Sequence, residues 1–157
     1  MALKTGDKAP AFTLPNQDNE LVKLKDLLGN WLVIYFYPKD NTPGCTIEAK
    51  DFSCLQDEFA QAGVQVVGIS KDSVASHQKF ISKHELSLQL LSDEELTALK
   101  AFDTWREKKL YGKSFLGVIR STFLIDPKGF INQTWYNVRA AKHAEKVLEK
   151  VKEQISK

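Results

Sequence analysis

Seven consecutive apolar residues, Trp31-Leu-Val-Ile-Tyr-Phe-Tyr37, constrain this chain more than any other feature. The run is far short of the ~20 residues a membrane helix needs, and its β-branched and aromatic members favour a strand. No polar residue alternates within it, so the strand must be covered on both faces. After a short polar link comes Thr42-Pro43-Gly44, a helix entry with Thr42 at the N-cap and Pro43 at the first helical position, where proline's missing N–H matters least.

Periodicity extends the pattern in both directions. Residues 12–14 and 21–24 predict a short extended pair. Beyond the apolar strand, a helix over 42–62, a strand over 64–70, a helix over 73–84, a short strand over 88–91 and a helix over 93–102 are expected. An irregular stretch, 103–117, leads to a hairpin pairing 118–125 with 130–136 across Asp126-Pro127-Lys128-Gly129. The chain ends in an amphipathic helix, with Val147, Leu148, Val151 and Ile155 on one stripe and lysine–glutamate pairs such as Lys142 and Glu145 on the other side. The expected fold is α/β: a central mixed sheet flanked by helices, an N-terminal extended pair, and a thioredoxin-like arrangement with additions. With 157 residues and 43% apolar composition, one domain over 1–157 is expected.

Charge and cysteine content exclude several functions. Twenty-two basic residues against 20 acidic ones give no case for nucleic acid or a membrane surface as partner. Two cysteines cannot form a disulfide framework, and Met1–Asp7 lacks the apolar core of a secretory signal, so the expected compartment is the cytoplasm.

Chemistry concentrates at the helix entry. Cys45 falls in the first turn, where unpaired N–H groups and the positive end of the helix dipole favour thiolate over thiol. Projection at about 100° per residue turns Cys45 inward with Ala49, Phe52 and Phe59, and places Cys54 outward among Lys50, Asp57, Glu58 and Gln61. An inward cysteine can also be a plain core residue. Glu48 lies near the inner side and needs a cation, with Arg120 or Arg139 as candidates. Arg120 stands in an otherwise apolar stretch of a chain with three arginines and 19 lysines. It needs an anion, either Glu48 alone or the Cys45 thiolate as well.

Pro38-x-x-x-Thr42-x-x-Cys45 with a later Arg120 resembles the peroxiredoxin signature. The wording Tyr-Pro-Lys-Asp-x-Thr-Pro-Gly-Cys-Thr-x-Glu, Val-Val-Gly-Ile-Ser, Leu-Leu-Ser-Asp, Tyr-Gly-Lys and Ser-Thr-Phe-Leu-Ile-Asp is similar to the bacterioferritin comigratory protein or peroxiredoxin Q branch, from about Gly6 to the last helix. The resemblance implies a thioredoxin-like fold and thiol-dependent reduction of hydrogen peroxide and organic hydroperoxides. It makes Cys45 the peroxidatic cysteine and Arg120 its cation, Thr42 a hydroxyl bonding thiolate and peroxide, and Pro38 a shield from water. Glu48 stands behind them. Members with a resolving cysteine carry it at positions that here are Lys50 and Ile81. Cys54, nine residues along the same helix, is about 13.5 Å of rise from Cys45, against the 4.4–6.8 Å of a disulfide. The expectation is a one-cysteine cycle closed by thioredoxin, glutaredoxin or glutathione, without cofactor or metal, in a monomer or weak homodimer.

Other readings meet specific obstacles. A cysteine hydrolase wants a histidine base, and His77, His84 and His143 show no spacing that supplies one. A disulfide oxidoreductase wants Cys-x-x-Cys, which is absent. A two-cysteine cycle through Cys54 and a non-enzymatic thioredoxin-fold binding module are the alternatives.

Overall fold

In the computed structural model, which describes residues 2–156, the apolar run forms β3 (Trp31–Phe36), the middle strand of a five-stranded sheet. β4 (Val64–Ser70) and then β5 (Gln89–Ser92) lie parallel to it on one side; on the other, β8 (Ser121–Ile125) pairs antiparallel with β3, and β9 (Ile131–Trp135) pairs antiparallel with β8. Alternate residues of β3 divide between two cores, as a pleated strand covered on both faces demands. Leu32, Ile34 and Phe36 pack with Leu24 and Leu27 of α1 (Leu24–Leu27) and with Ala98 and Leu99 of α5 (Thr97–Ala101). Val33 and Tyr35 pack with α2 (Pro43–Cys54), α3 (Gln56–Gln61), α4 (Val74–His84) and α6 (His143–Ile155), through Phe52, Phe59, Phe80 and Val147. The expected mixed sheet with helices on both faces is present. So is the N-terminal pair, β1 (Thr13–Pro15) against β2 (Leu21–Lys23), with Phe12 and Leu24 just outside it. Among the described residues no helix is long and apolar enough to cross a membrane.

Four elements differ from expectation. The helix expected over 42–62 is two, separated by Leu55, whose ψ of 4° departs from helical values. The helix expected over 93–102 shrinks to α5, because the Asp93 carboxylate accepts from the Leu99 N–H at 2.8 Å and Leu96 takes a positive φ of 66°, making 93–96 a turn. Residues 103–117, expected to be irregular, form most of a hairpin of β6 (Trp105–Leu110) and β7 (Lys113–Val118). Its two-residue turn, Tyr111-Gly112, has φ of 53° and 76°, the left-handed pair that a tight hairpin uses. Leu110, Tyr111, Phe115 and Leu116 are exposed along it, so no buried face imposes the alternation that betrays a strand. Finally, Val118 closes β7 and β8 begins at Ser121. Arg120 therefore sits in the joint between two strands, not within one.

Candidate active site

Thr42 occupies the N-cap of α2 with extended backbone (φ −94°, ψ 152°), and its carbonyl accepts the first helical bond, from Thr46 N–H at 2.9 Å. Its side chain does not cap. The hydroxyl instead donates to the Lys39 carbonyl at 2.8 Å. That differs from the expected capping role and has a chemical consequence: the cap hydroxyl consumes none of the first-turn N–H groups, which remain available to an anion.

Cys45 is the third helical residue and is 1% exposed. Arg120 reaches it from the β7–β8 joint. Nη2 donates to Cys45 Sγ at 3.3 Å while Nη1 donates to Glu48 Oε1 at 2.6 Å. One planar fork thus serves two acceptors three residues apart on the same helix face. Gly44 leaves the room this requires, since a Cβ there would lie 3.1 Å from Arg120 Nη2. Arg139 is exposed, so the cation for Glu48 is Arg120. Thr42 does not bond the sulfur; Arg120 does.

The electrostatics follow from burial. Glu48 is fully buried, and loss of hydration pushes its carboxyl up to about 7 although Arg120 pulls the other way. Arg120 loses hydration too, but Glu48 and then Cys45 outweigh that and hold the guanidinium charged more firmly than in water. Among the described residues, Glu48 Oε2 and the Tyr35 hydroxyl have no hydrogen-bond partner. Tyr35 stacks on Phe52 of α2 at 4.6 Å between ring centroids and forms part of the core behind Cys45. His143, at the start of α6, bonds Thr122 Oγ1 at 2.8 Å and is pushed down to about 4 by burial and by Arg120 and Lys146, so it is neutral at pH 7. Pro38 is half-buried just beyond β3.

A pH test arises directly. Glu48 binds its proton more tightly folded than unfolded, so between pH 4.5 and about 7 the native state holds more protons and stability falls as pH rises. Denaturant titrations across that window should show a shallower decline for Glu48→Gln than for the wild-type chain. Parallel curves would leave Glu48 without that linkage.

Cys54 ends α2 and is exposed; both thiols are free. A surface depression of about 330 Å³ beside Cys54 is lined by Lys50, Ser53 and His84 and does not include Cys45. Ile81, the other position where a resolving thiol could stand, lies on α4 and is half-buried. Sequence reasoning did not connect Tyr37, Asp40 and His77, which form a buried polar cluster that anchors the 38–42 loop through its own Asp40. Their separation along the chain hides the contact, and only the lone Asp40 beside an apolar strand hints at it.

Comparison with known proteins places this geometry. The model of the AhpC/TSA family matches residues 5–134. A putative peroxiredoxin bcp of Helicobacter pylori is 52% identical over 147 residues, covering 94% of this chain and 97% of that protein. The peroxiredoxin Bcp of Bacillus subtilis is 43% identical over 157 residues and full coverage of both. Among solved structures, the bacterioferritin comigratory protein of Xanthomonas campestris, studied for alkyl peroxide reduction, superposes with a TM-score of 0.88 at 44% identity, over 92% of each chain. A PrxQ mutant of Xylella fastidiosa reaches 0.93 at 39% identity over 98% of each.

Proposed function

The chain belongs to the AhpC/TSA family and is a peroxiredoxin, a thiol-dependent peroxidase with a thioredoxin-like fold, and from that premise we propose that Cys45 is its peroxidatic nucleophile in a one-cysteine cycle. Membership leaves the binding-module alternative without support. The observation that carries the assignment is the Arg120 fork, holding Cys45 Sγ and Glu48 together at a helix N-terminus.

The Cys45 thiolate attacks one oxygen of a hydroperoxide. An S–O bond forms, the O–O bond breaks, and the departing oxygen leaves as water or an alcohol after taking up a proton, while sulfur becomes a sulfenic acid. Negative charge develops on the departing oxygen, so donors fixed in advance lower the barrier. Arg120 and the first-turn N–H groups supply them. Thr42 has a narrower part than the resemblance implies. With its proton directed to Lys39, its lone pairs accept from the hydroperoxide O–H and orient it. Pro38 excludes bulk water.

Thr42→Val keeps the shape and removes the hydroxyl. It should slow reaction with peroxide about 100-fold, the scale of one lost transition-state partner, with the thermal midpoint nearly unchanged because the hydroxyl does not cap. Stopped-flow rates on a folded variant check this, and a wild-type rate would remove Thr42 from the chemistry.

Lys50 and Ile81 carry no sulfur, and Cys54 stands at the far end of an unbroken α2. The sulfenic acid therefore waits for an outside thiol, a thioredoxin, glutaredoxin or glutathione, in the cytoplasm. One domain, residues 1–157, carries the cycle as a monomer or weak homodimer. Peroxide consumption with each of the three reductants in turn tests the reading. Cys54→Ser should retain most turnover, and mass spectrometry after one equivalent of peroxide should find oxidised or mixed-disulfide Cys45. A Cys45–Cys54 bridge, with a stalled serine variant, would mean that α2 unwinds in every cycle and that two cysteines are used.

A further inference from the structure

We infer that His77 is a positioning residue for the peroxidase reaction: by sharing a proton with Asp40 it fixes the peptide plane that aims the Thr42 hydroxyl. This rests on the reading of Cys45 as nucleophile.

Residues 38–42 link β3 to α2 and carry Pro38 and Thr42. Their buried anchor is Asp40, 4% exposed. Its carboxylate has three partners: Tyr37 Oη donates to Oδ1 at 2.6 Å, Ser76 Oγ donates to Oδ2 at 2.8 Å, and His77 Nδ1 lies 2.8 Å from Oδ2. The other face of the imidazole fixes the proton count. His77 is fully buried on α4, and its Nε2 lies 3.0 Å from the Leu91 carbonyl of β5. A carbonyl only accepts, so Nε2 carries a hydrogen. At 2.8 Å a bare ring nitrogen and a bare carboxylate oxygen would repel, so a proton also lies between Nδ1 and Oδ2. Such a pair costs hydration, and it is retained when both members are fully hydrogen-bonded, as here. The titratable groups facing the ring are Asp40 and Tyr37, whose hydroxyl is 3.4 Å from Nδ1. Asp72 lies one bond further, accepting Asp40 N–H at 2.8 Å and Ser70 Oγ at 2.7 Å.

The link to chemistry is a single peptide unit. The Lys39 carbonyl that receives the Thr42 hydroxyl and the Asp40 N–H held by Asp72 belong to the same plane. If the Asp40 side chain loses its clamp to α4 and β5, that plane is held on this side by the Asp72 bond alone, and any tilt it then takes turns the Thr42 lone pairs with it. Displacements of about 1 Å in positioning groups cost up to ~10²-fold in rate. Arg120 approaches Cys45 from the β7–β8 joint and is independent of this plane. Orientation of peroxide and reactivity of the sulfur are therefore separable.

His77→Gln, Asp40→Asn and wild type would be compared by single-turnover reaction with hydrogen peroxide, by alkylation of Cys45 with iodoacetamide, and by nitrogen–proton correlation spectra of the wild-type histidines. The expected results are a 10- to 100-fold lower peroxide rate in both variants, alkylation within about twofold of wild type, and the signature of a proton shared between His77 Nδ1 and Asp40 Oδ2. Equal losses in peroxidation and alkylation would mean general disruption of the site and would overturn the proposal, as would an unchanged peroxide rate in a folded variant. Should neither variant fold, the wild-type spectrum decides: the absence of a proton between Nδ1 and Oδ2 overturns the proposal, and a shared proton there upholds it. Failure of the Cys45 assignment would appear separately, as peroxide turnover surviving in Cys45→Ser.

Discussion

Cys45→Ser is expected to abolish peroxide turnover, a loss on the order of 10⁶-fold, the scale on which removal of an enzymatic nucleophile is felt. The physical reason is specific to sulfur. Serine fits the same site at the third position of α2, but its hydroxyl does not ionise near pH 7 and is a poor nucleophile towards peroxide oxygen. The scaffold does not depend on the thiol: α2 is held by Ala49 and Phe52 against Tyr35 and by contact with α6. Far-ultraviolet circular dichroism and the denaturation midpoint should therefore stay close to wild type while peroxide consumption, with dithiothreitol in excess, falls to background. Turnover that survived would have to come from Cys54, the other sulfhydryl in the chain, and would transfer the chemistry to the far end of the helix.

That Cys45 faces inward was legible because helical phase is a local property: once Thr42 and Pro43 locate the start of α2, the directions of Cys45, Glu48, Phe52 and Cys54 follow from 3.6 residues per turn. The Arg120–Glu48 pairing was legible for a different reason. A fully buried carboxylate demands a cation, and arginine is rare in this chain. What local reasoning could not supply was the direction of side chains with several partners within reach. The Thr42 hydroxyl had a choice between the orphan N–H groups of α2 and the Lys39 carbonyl, and the conformation of the 38–42 loop decided it.

The misread elements share a cause as well. Hydrophobic periodicity detects only segments with one buried face, so the exposed β6–β7 hairpin left little trace beyond Tyr111-Gly112, and the 93–102 helix was overextended because a turn closed by a side chain carries no apolar signature. Contacts that cross the sheet are hidden for the same reason. Asp40, His77 and Leu91 come from a loop, a helix and a strand, and no spacing along the chain announces that they meet.

Arg120→Lys should lower the peroxide rate by about 10³-fold, the upper range for a lost transition-state donor, although the formal charge is unchanged. The guanidinium spans Cys45 Sγ at 3.3 Å and Glu48 Oε1 at 2.6 Å with two nitrogens of one rigid plane. An ammonium is a single point on a flexible stem and cannot reproduce both bonds in that geometry. Burial decides which partner it keeps. Glu48 is fully buried and already holds its proton up to about pH 7, so two outcomes compete. If lysine turns to Glu48, the sulfur loses its donor, and both peroxide reaction and iodoacetamide alkylation at neutral pH slow together. If lysine turns to Cys45, Glu48 is left buried without its cation, takes up a proton to still higher pH, and the charge borne by the departing oxygen still meets one donor group where the fork offered more. In either case the rate falls, and the alkylation rate tells which anion the lysine chose. An Arg120→Lys variant with wild-type rates of both reactions would reduce the arginine to a structural partner of Glu48 and leave activation of Cys45 to the first turn of α2 alone.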